Sequence, residues 1–271
     1  MSAKLNILRS LSISGLSLFL FCVLWEIIAN ADIIPNFPGA TQTFQELVWW
    51  LSDPFFDNGP NDLGIGFNLL ISLRRVLIGY TLAMIVAIPV GLFVGVSKTI
   101  KSSVDPYVQL LKPVSPLAWL PIGLFVFRNS EVTGIFVIFI TSIWPTLINT
   151  AIGVQSVDSD VLKVSKSLGA SRSNTITKVI LPAVMPNILA GMRISMGTAW
   201  LVIVAAEMLL GTGIGYFIWN EWNNLYVANI FVAIIIIGIT GYILDQLFEF
   251  LQMQFNYCLL YTSDAADETT G

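Results

Sequence analysis

The sequence predicts an all-α, polytopic membrane protein with about six transmembrane helices. Two observations carry that reading. Hydrophobic residues make up 55% of the 271 and charged residues 11%, against roughly 45–50% and about 25% in soluble domains. One core of this size cannot hide such an excess, so much of the apolar surface faces lipid. The apolar residues also gather into six runs, 11–28, 76–96, 104–127, 132–152, 188–210 and 227–248, each close to the roughly 20 residues that span a hydrocarbon core as helix.

The first run follows Lys4 and Arg9, and Ala29-Asn30-Ala31 imitates a small-x-small cleavage site. Signal-peptide apolar regions run roughly 7–15 residues, so a longer run is read as an uncleaved anchor. In the second run Gly79, Gly91 and Gly95 permit close helix approach, as do Gly191 and Gly197 in the fifth. The third run holds Pro106, Pro113, Pro116 and Pro121, which remove backbone donors and bend the chain. Such breaks survive in a membrane only where protein or a cavity re-satisfies the freed carbonyls. Two readings stay open for it: a helix lining a path, or a proline-rich packing helix.

Basic loop residues are retained on the cytoplasmic side. A cytoplasmic N-terminus (1–10) places Lys4, Arg9, Lys98, Lys101, Lys163, Lys166, Arg172 and Lys178 inside, eight of the thirteen Lys and Arg. The opposite loops then hold Asp32, Glu46, Asp53, Asp57, Asp62, Glu131 and Glu221 against Arg74, Arg75 and Arg128. Both termini are expected to be cytoplasmic. In the first outer loop Asn58-Gly59-Pro60 has turn chemistry, and Trp49, Trp50, Phe55 and Phe56 suit a headgroup interface. Anchoring and partner docking are both open for that segment.

A polar stretch from Gln155 to Pro186 interrupts the runs. Asp158 can cap a helix to Leu168, Gly169 permits a turn, and a short second helix from Ser173 to Ile180 is expected to stop at Leu181-Pro182 and Pro186. The 158–182 hairpin lies outside the membrane, and an amphipathic rest on lipid headgroups is its alternative. Residues 257–271, with Cys258, show no periodicity and are set apart from the 11–256 membrane domain as a non-native or disordered tail.

Composition excludes whole classes of function. The net charge of −4 without a basic block argues against nucleic-acid binding, and the absence of histidine removes imidazole metal sites and His-based nucleophile pairs. Cys22 and Cys258 form no CxxC, so no metal centre is expected. Intramembrane ionisable residues are few: Lys112, Arg193, Glu207, Glu26 and Asp245. Arg193 and Glu207 are about 21 Å apart along one helix, too far to pair. Arg193 is read as snorkelling to the interface and Glu207 as the partner of a nearby donor, structural or gating.

The order Gly169, nine residues, Val179-x-Leu181-Pro182 resembles the signature loop of permease subunits of binding-protein-dependent ABC importers, where an acidic-Ala-Ala triplet precedes the glycine. Here the triplet is Lys163-Val164-Ser165, without the acid. Pro54-Phe55-Phe56-Asp57-Asn58-Gly59-Pro60-Asn61-Asp62, Trp119-Leu120-Pro121, Ile143-Trp144-Pro145, Ala205-Ala206-Glu207-Met208-Leu209 and Gly213-Ile214-Gly215-Tyr216-Phe217-Ile218-Trp219 resemble the nitrate and bicarbonate branch of that family. The resemblance spans about residue 5 to residue 252.

It implies a type I ABC importer permease-like fold and a permease that is not itself an enzyme and needs no cofactor. It also implies a second permease copy, two cytoplasmic ATPase subunits and an extracytoplasmic substrate-binding protein as partners. The chain has no Gly-x-x-x-x-Gly-Lys-Ser/Thr loop to cradle nucleotide phosphates. By resemblance, ATPase coupling falls to Lys163, Val164, Lys166, Leu168, Gly169, Ala170, Leu181 and Pro182. The resemblance implies a small oxyanion as cargo, nitrate first, bicarbonate second and sulfonates such as taurine behind. A monovalent anion needs hydroxyl and amide donors without a deep fixed charge, so Ser115, Thr141, Ser142, Asn149 and Thr198, with Trp119 and Glu207, are the candidate path residues. The rival classes are a self-sufficient secondary transporter or channel and a membrane-embedded enzyme.

Overall fold

The computed structural model describes residues 2–31, 35–59 and 62–256, with side chains from residue 12 onward except 172, 255 and 256. Expectations resting on Asp32, Pro60, Asn61, the side chains of Lys4, Arg9 and Arg172, and the tail with Cys258 lie outside the described residues. The fold class is the one expected, all-α and multi-pass. Among the described residues five helices are long and apolar enough to cross a membrane, or six if one bent pair counts as a span.

Helices α1 (Ser2–Asn30) and α2 (Ala40–Ser52) lead into α3 (Ile65–Val96) and α4 (Lys98–Leu111). A 3-10 turn at Pro116–Ala118 then enters α5 (Trp119–Phe127). Next come α6 (Ser130–Gln155), α7 (Ser159–Ser167), α8 (Arg172–Thr175), α9 (Leu181–Leu210), α10 (Ile214–Asn223) and α11 (Val227–Asn256). The centre is α3, α6 and α9, with α11 packed on α9. Val76, Tyr80, Ile138, Met196, Trp200 and Ile203 are buried there.

Small residues set the spacing. A Cβ at Gly91 would lie 2.7 Å from the Thr150 Cβ and 2.8 Å from the Leu147 carbonyl, and one at Gly191 would lie 2.9 Å from the Thr146 Cα. Gly79 and Gly95 meet α6 as closely. Gly197 does not belong with them, because nothing lies within 4 Å of its position. Between the three helices a polar knot replaces apolar contact. The Thr146 and Ser195 hydroxyls are 2.8 Å apart, and Ser195 donates to the Ser142 carbonyl at 2.7 Å.

Several boundaries depart from expectation. The second span starts at Ile65, not 76, and takes in Arg74 and Arg75, which were assigned to a loop. Their charges lower the local hydropathy, but buried Arg75 finds an acid inside the bundle. The third run is broken, with α4 and the 3-10/α5 segment meeting at 86°. Leu181-Pro182 and Pro186 do not stop the hairpin's second helix, because Ile176–Ile180 forms a π-helical turn that runs into α9. There the Leu181 N–H bonds the Ile176 carbonyl, and the wider turn takes in a proline that has no N–H to give.

Trp50 is not an interfacial anchor. It is buried 4.9 Å from the Phe217 ring and 5.6 Å from that of Phe56, and its N–H bonds Asn229 at 3.2 Å, while Trp49 and Phe55 stay exposed. Replacing Gly91 by Val should force α3 from α6 and lower unfolding stability in detergent by about 1–3 kcal/mol. Gly197→Ala should leave it unchanged, and thermal unfolding of both variants measures the contrast.

Candidate functional site

Three groups of side chains stand out from the packing, one at the expected outer end, one beside the proline break and one at the hairpin. At the outer end the buried Glu207 carboxylate of α9 accepts from Arg75 Nη1 at 2.8 Å, from the Ser72 hydroxyl at 2.6 Å and from the Gly215 N–H at 3.2 Å. Arg75 also donates to the Thr212 carbonyl and hydroxyl, at 3.0 and 2.6 Å. Its Nη2 approaches Glu131 at 3.5 Å, and Glu131 in turn bonds Arg74. The loop between α9 and α10 closes around this carboxylate. Gly213 has φ +99°, and a Cβ there would run into the Glu207 carboxyl.

Glu207 is thus tied to α3 and α10, and it does not face the cavity beside the proline break. That cavity, about 300 Å³, is lined by Ser115, Trp119, Thr141 and Thr198 among the candidate path residues, together with Lys112 and Trp144. Ser142 and Asn149 are elsewhere. Ser142 is fully buried with its hydroxyl unpaired, and the Asn149 amide bonds its own helix at the Pro145 carbonyl. The Thr141 and Thr198 hydroxyls likewise donate back, to Val137 and Ile194, as such residues commonly do within a helix.

In the hairpin, Asp158 caps α7 by accepting from the Asp160 N–H at 2.8 Å. Gly169, at φ +74°, ends it: its N–H bonds the Lys166 carbonyl and the Ala170 N–H bonds that of Ser165, the paired pattern that closes a helix through a left-handed residue. Lys163, Val164, Lys166, Leu168 and Gly169 are exposed, whereas Ala170 and Leu181 are half-buried and Pro182 is exposed on the stem. Leu168 is 81% exposed, an apolar side chain offered at the tip.

Arg193, read as a lone cation, is paired: it donates to both Asp245 oxygens at 2.6 Å and to Glu249 at 2.9 Å, joining α9 to α11. Glu26 accepts from the Thr41 N–H and hydroxyl, which pins α1 to the start of α2.

Residues 87–256 match the family model described as the binding-protein-dependent transport system inner membrane component. The chain belongs to this family. It is 42% identical to the nitrate import permease protein NrtB of Synechocystis sp., over 85% of this chain and 84% of that protein. It is 39% identical to the bicarbonate transport system permease protein CmpB of Synechococcus elongatus, over 86% and 84%. Among solved structures, a chain of the MetNI methionine ABC transporter in inward-facing conformations superposes with a TM-score of 0.61 at 13% identity, covering 78% of this chain and 98% of that one. That likeness speaks for the fold. The resemblance to the nitrate and bicarbonate branch is therefore matched by relatives over most of the chain.

Sequence reading missed Ser72 and Arg75 as the partners of Glu207, and Thr212 as the acceptor for Arg75. The available signal was spacing, since Ser72, Arg75, Val76 and Gly79 fall on one helical face. Glu221, on the outer helix α10, was read as a loop acid and is buried instead, bonded by the Asn229 amide at 2.7 Å. Burial pushes its carboxyl above the usual range, the Asn229 bond opposes this, and the nearby Asp62 and Glu46 charges add to the rise.

Two outcomes are expected. Arg75→Met or Glu207→Leu alone should each cost about 3–5 kcal/mol of unfolding stability by stranding a buried charge, whereas the double variant should lie closer to wild type than either. Detergent unfolding of all three decides it. A raised Glu221 carboxyl binds its proton more tightly folded than unfolded, so stability falls as pH rises through the folded value and the penalty is absent below the unfolded one. Glu221→Gln should therefore stabilise at pH 7 and lose that advantage under acid, as read in melting temperature against pH.

Proposed function

We propose that this chain is the membrane subunit of an ATP-driven importer that moves a small inorganic oxyanion, nitrate first and bicarbonate second, across a bacterial inner membrane. The observation that carries the reading is the similarity to relatives named as nitrate and bicarbonate permeases along more than four-fifths of the chain. Without a nucleotide-binding loop of its own, the chain takes its energy from two cytoplasmic ATPase subunits and its substrate from an extracytoplasmic binding protein.

The hairpin is the contact with the ATPases. Exposed Val161, Val164 and Leu168 would fill an apolar groove there, with Lys163 and Lys166 at its rim. Both termini are cytoplasmic on this reading, which keeps the hairpin and the basic loops on the ATPase side. A second copy of the chain completes the path. Phe125 and Leu201, 80% and 72% exposed on α5 and α9, supply apolar surface for that copy or for lipid. Ser115, Trp119, Thr141 and Thr198 are kept as path residues. Glu207 is a latch at the outer end, since a carboxylate repels anions and this one is already held.

The test is to reconstitute the complete complex in liposomes with its binding protein. Nitrate or bicarbonate should stimulate ATP hydrolysis and uptake. Stimulation by taurine or another sulfonate, with both inorganic anions inert, overturns the substrate, and uptake by the permease alone overturns the dependence on ATPases. Gly169→Val places a β-branched residue in a left-handed conformation and should weaken ATPase attachment roughly fivefold to thirtyfold while the chain still inserts. Co-purification of the ATPase subunits measures that loss.

A further inference from the structure

The cavity beside the proline break differs in charge from the others. The outer cavities are lined by Glu46, Asp62 and Glu221, and the one under the hairpin by Asp105 beside Lys98 and Lys101. No Asp or Glu lines the proline-break cavity, and its one charged residue is Lys112. It is also placed for transport. Thr141 and Trp144 fall near the middle of α6, and Thr198 near the middle of α9.

Its donors are unengaged. Among the described residues no hydrogen bond or ion pair takes up the Lys112 ammonium, the Ser115 hydroxyl or the Trp119 and Trp144 indole N–H groups. The other tryptophans that are not exposed behave differently: Trp25, Trp50 and Trp200 donate to Pro38, Asn229 and Ile237, as packed indoles usually do, and the further indoles without an acceptor, Trp49, Trp219 and Trp222, are exposed. Trp119 and Trp144 are half-buried with their N–H groups still free to meet a ligand. The Thr141 and Thr198 protons are already committed to their own helices, which leaves the ammonium, two indoles and one hydroxyl as the donor set.

This donor set has a chemical reading. Indole N–H and ammonium groups donate and cannot accept, so the pocket offers hydrogen bonds to an anion and rejects a cation. Pro113, Pro116 and Pro145 line the same wall and contribute no N–H of their own. Lys112 is exposed in the single chain and has no acid beside it in the cavity lining, so it offers an anion one unneutralised charge without a cage of charges to hold it. We propose that this cavity is a transient binding site for a small monovalent oxyanion, with Lys112 the residue that selects for negative charge. The proposal rests on the oxyanion reading above and adds to it a named site within this chain.

The test uses the complete reconstituted complex, with Cys22 and Cys258 replaced by Ala and Thr198→Cys as a reporter. Nitrate should slow thiol labelling at position 198. Lys112→Gln should abolish that protection and lower nitrate uptake about fivefold to thirtyfold, Lys112→Arg should restore both, and basal ATP hydrolysis without binding protein should show that each complex assembles. Uptake by Lys112→Gln equal to that of wild type, or equal losses in Lys112→Gln and Lys112→Arg, would overturn the site while leaving the importer standing. Failure of the Lys112 complex itself to take up nitrate or bicarbonate, with its ATPase active, would instead overturn the oxyanion reading.

Discussion

The end of this bundle away from the 158–182 hairpin depends on one buried ion pair. Arg75 and Glu207 belong to different helices, and each is almost wholly removed from solvent. An isolated charge at that depth carries a large desolvation cost, which only a close partner with filled hydrogen-bond positions can offset. Here Ser72 and the Gly215 N–H fill positions on the carboxylate and Thr212 fills positions on the two Nη atoms, while Arg75 Nε is left without a partner among the described residues. The requirement reaches outward from the pair. The loop after α9 must approach the carboxylate closely, hence glycine at 213, and α10 must begin where the Ile214 N–H meets the Ser72 hydroxyl at 2.9 Å.

A second constraint runs along α9. The helical path from Ser173 to Leu210 is unbroken: a π turn at Ile176–Ile180 leads into Pro182, and Pro186 is carried inside α9. One stiff element therefore joins the stem of the hairpin, the Arg193 fork to α11, the wall of the proline-break cavity and the Glu207 latch. If the hairpin is carried by an ATPase, its displacement reaches all four, because a continuous helix cannot be moved at one end alone. The knot of Thr146, Ser195 and the Ser142 carbonyl fixes this rod against α6 at mid-depth, where helices in lipid have little hydrophobic force to hold them together.

The proline-rich segment has the opposite character. Where α9 carries its prolines without a break, the run from Lys98 to Phe127 gives way at Pro113 and Pro116 and turns through 86°. The corner lies beside a cavity of about 300 Å³ lined by Lys112, Ser115, Trp119 and Trp144, for whose side-chain donors the described residues supply no acceptor, and by Thr141 and Thr198, whose hydroxyls bond their own helices. The break sets a cavity beside the segment, and both readings, a helix lining a path and a proline-rich packing helix, are compatible with it.

Much was legible in the residues alone. Apolar runs and their breaks determine that the chain spans a membrane as helices, because lipid leaves backbone groups no other partner. The Gly169 and Val179-x-Leu181-Pro182 spacing pointed to the family without any coordinates. What the sequence could not decide was which polar groups meet. Arg75 looked like a loop residue because hydropathy is a local sum, whereas its partner lies 132 positions away. The partners of Arg193 were hidden for the same reason, since only the fold brings Asp245 and Glu249 of α11 beside it. Among the candidate path residues, tertiary packing alone decided that Ser115, Trp119, Thr141 and Thr198 share a cavity while Ser142, Asn149 and Glu207 do not, because rotation of each helix about its axis is set by contacts across the bundle and not by its own composition.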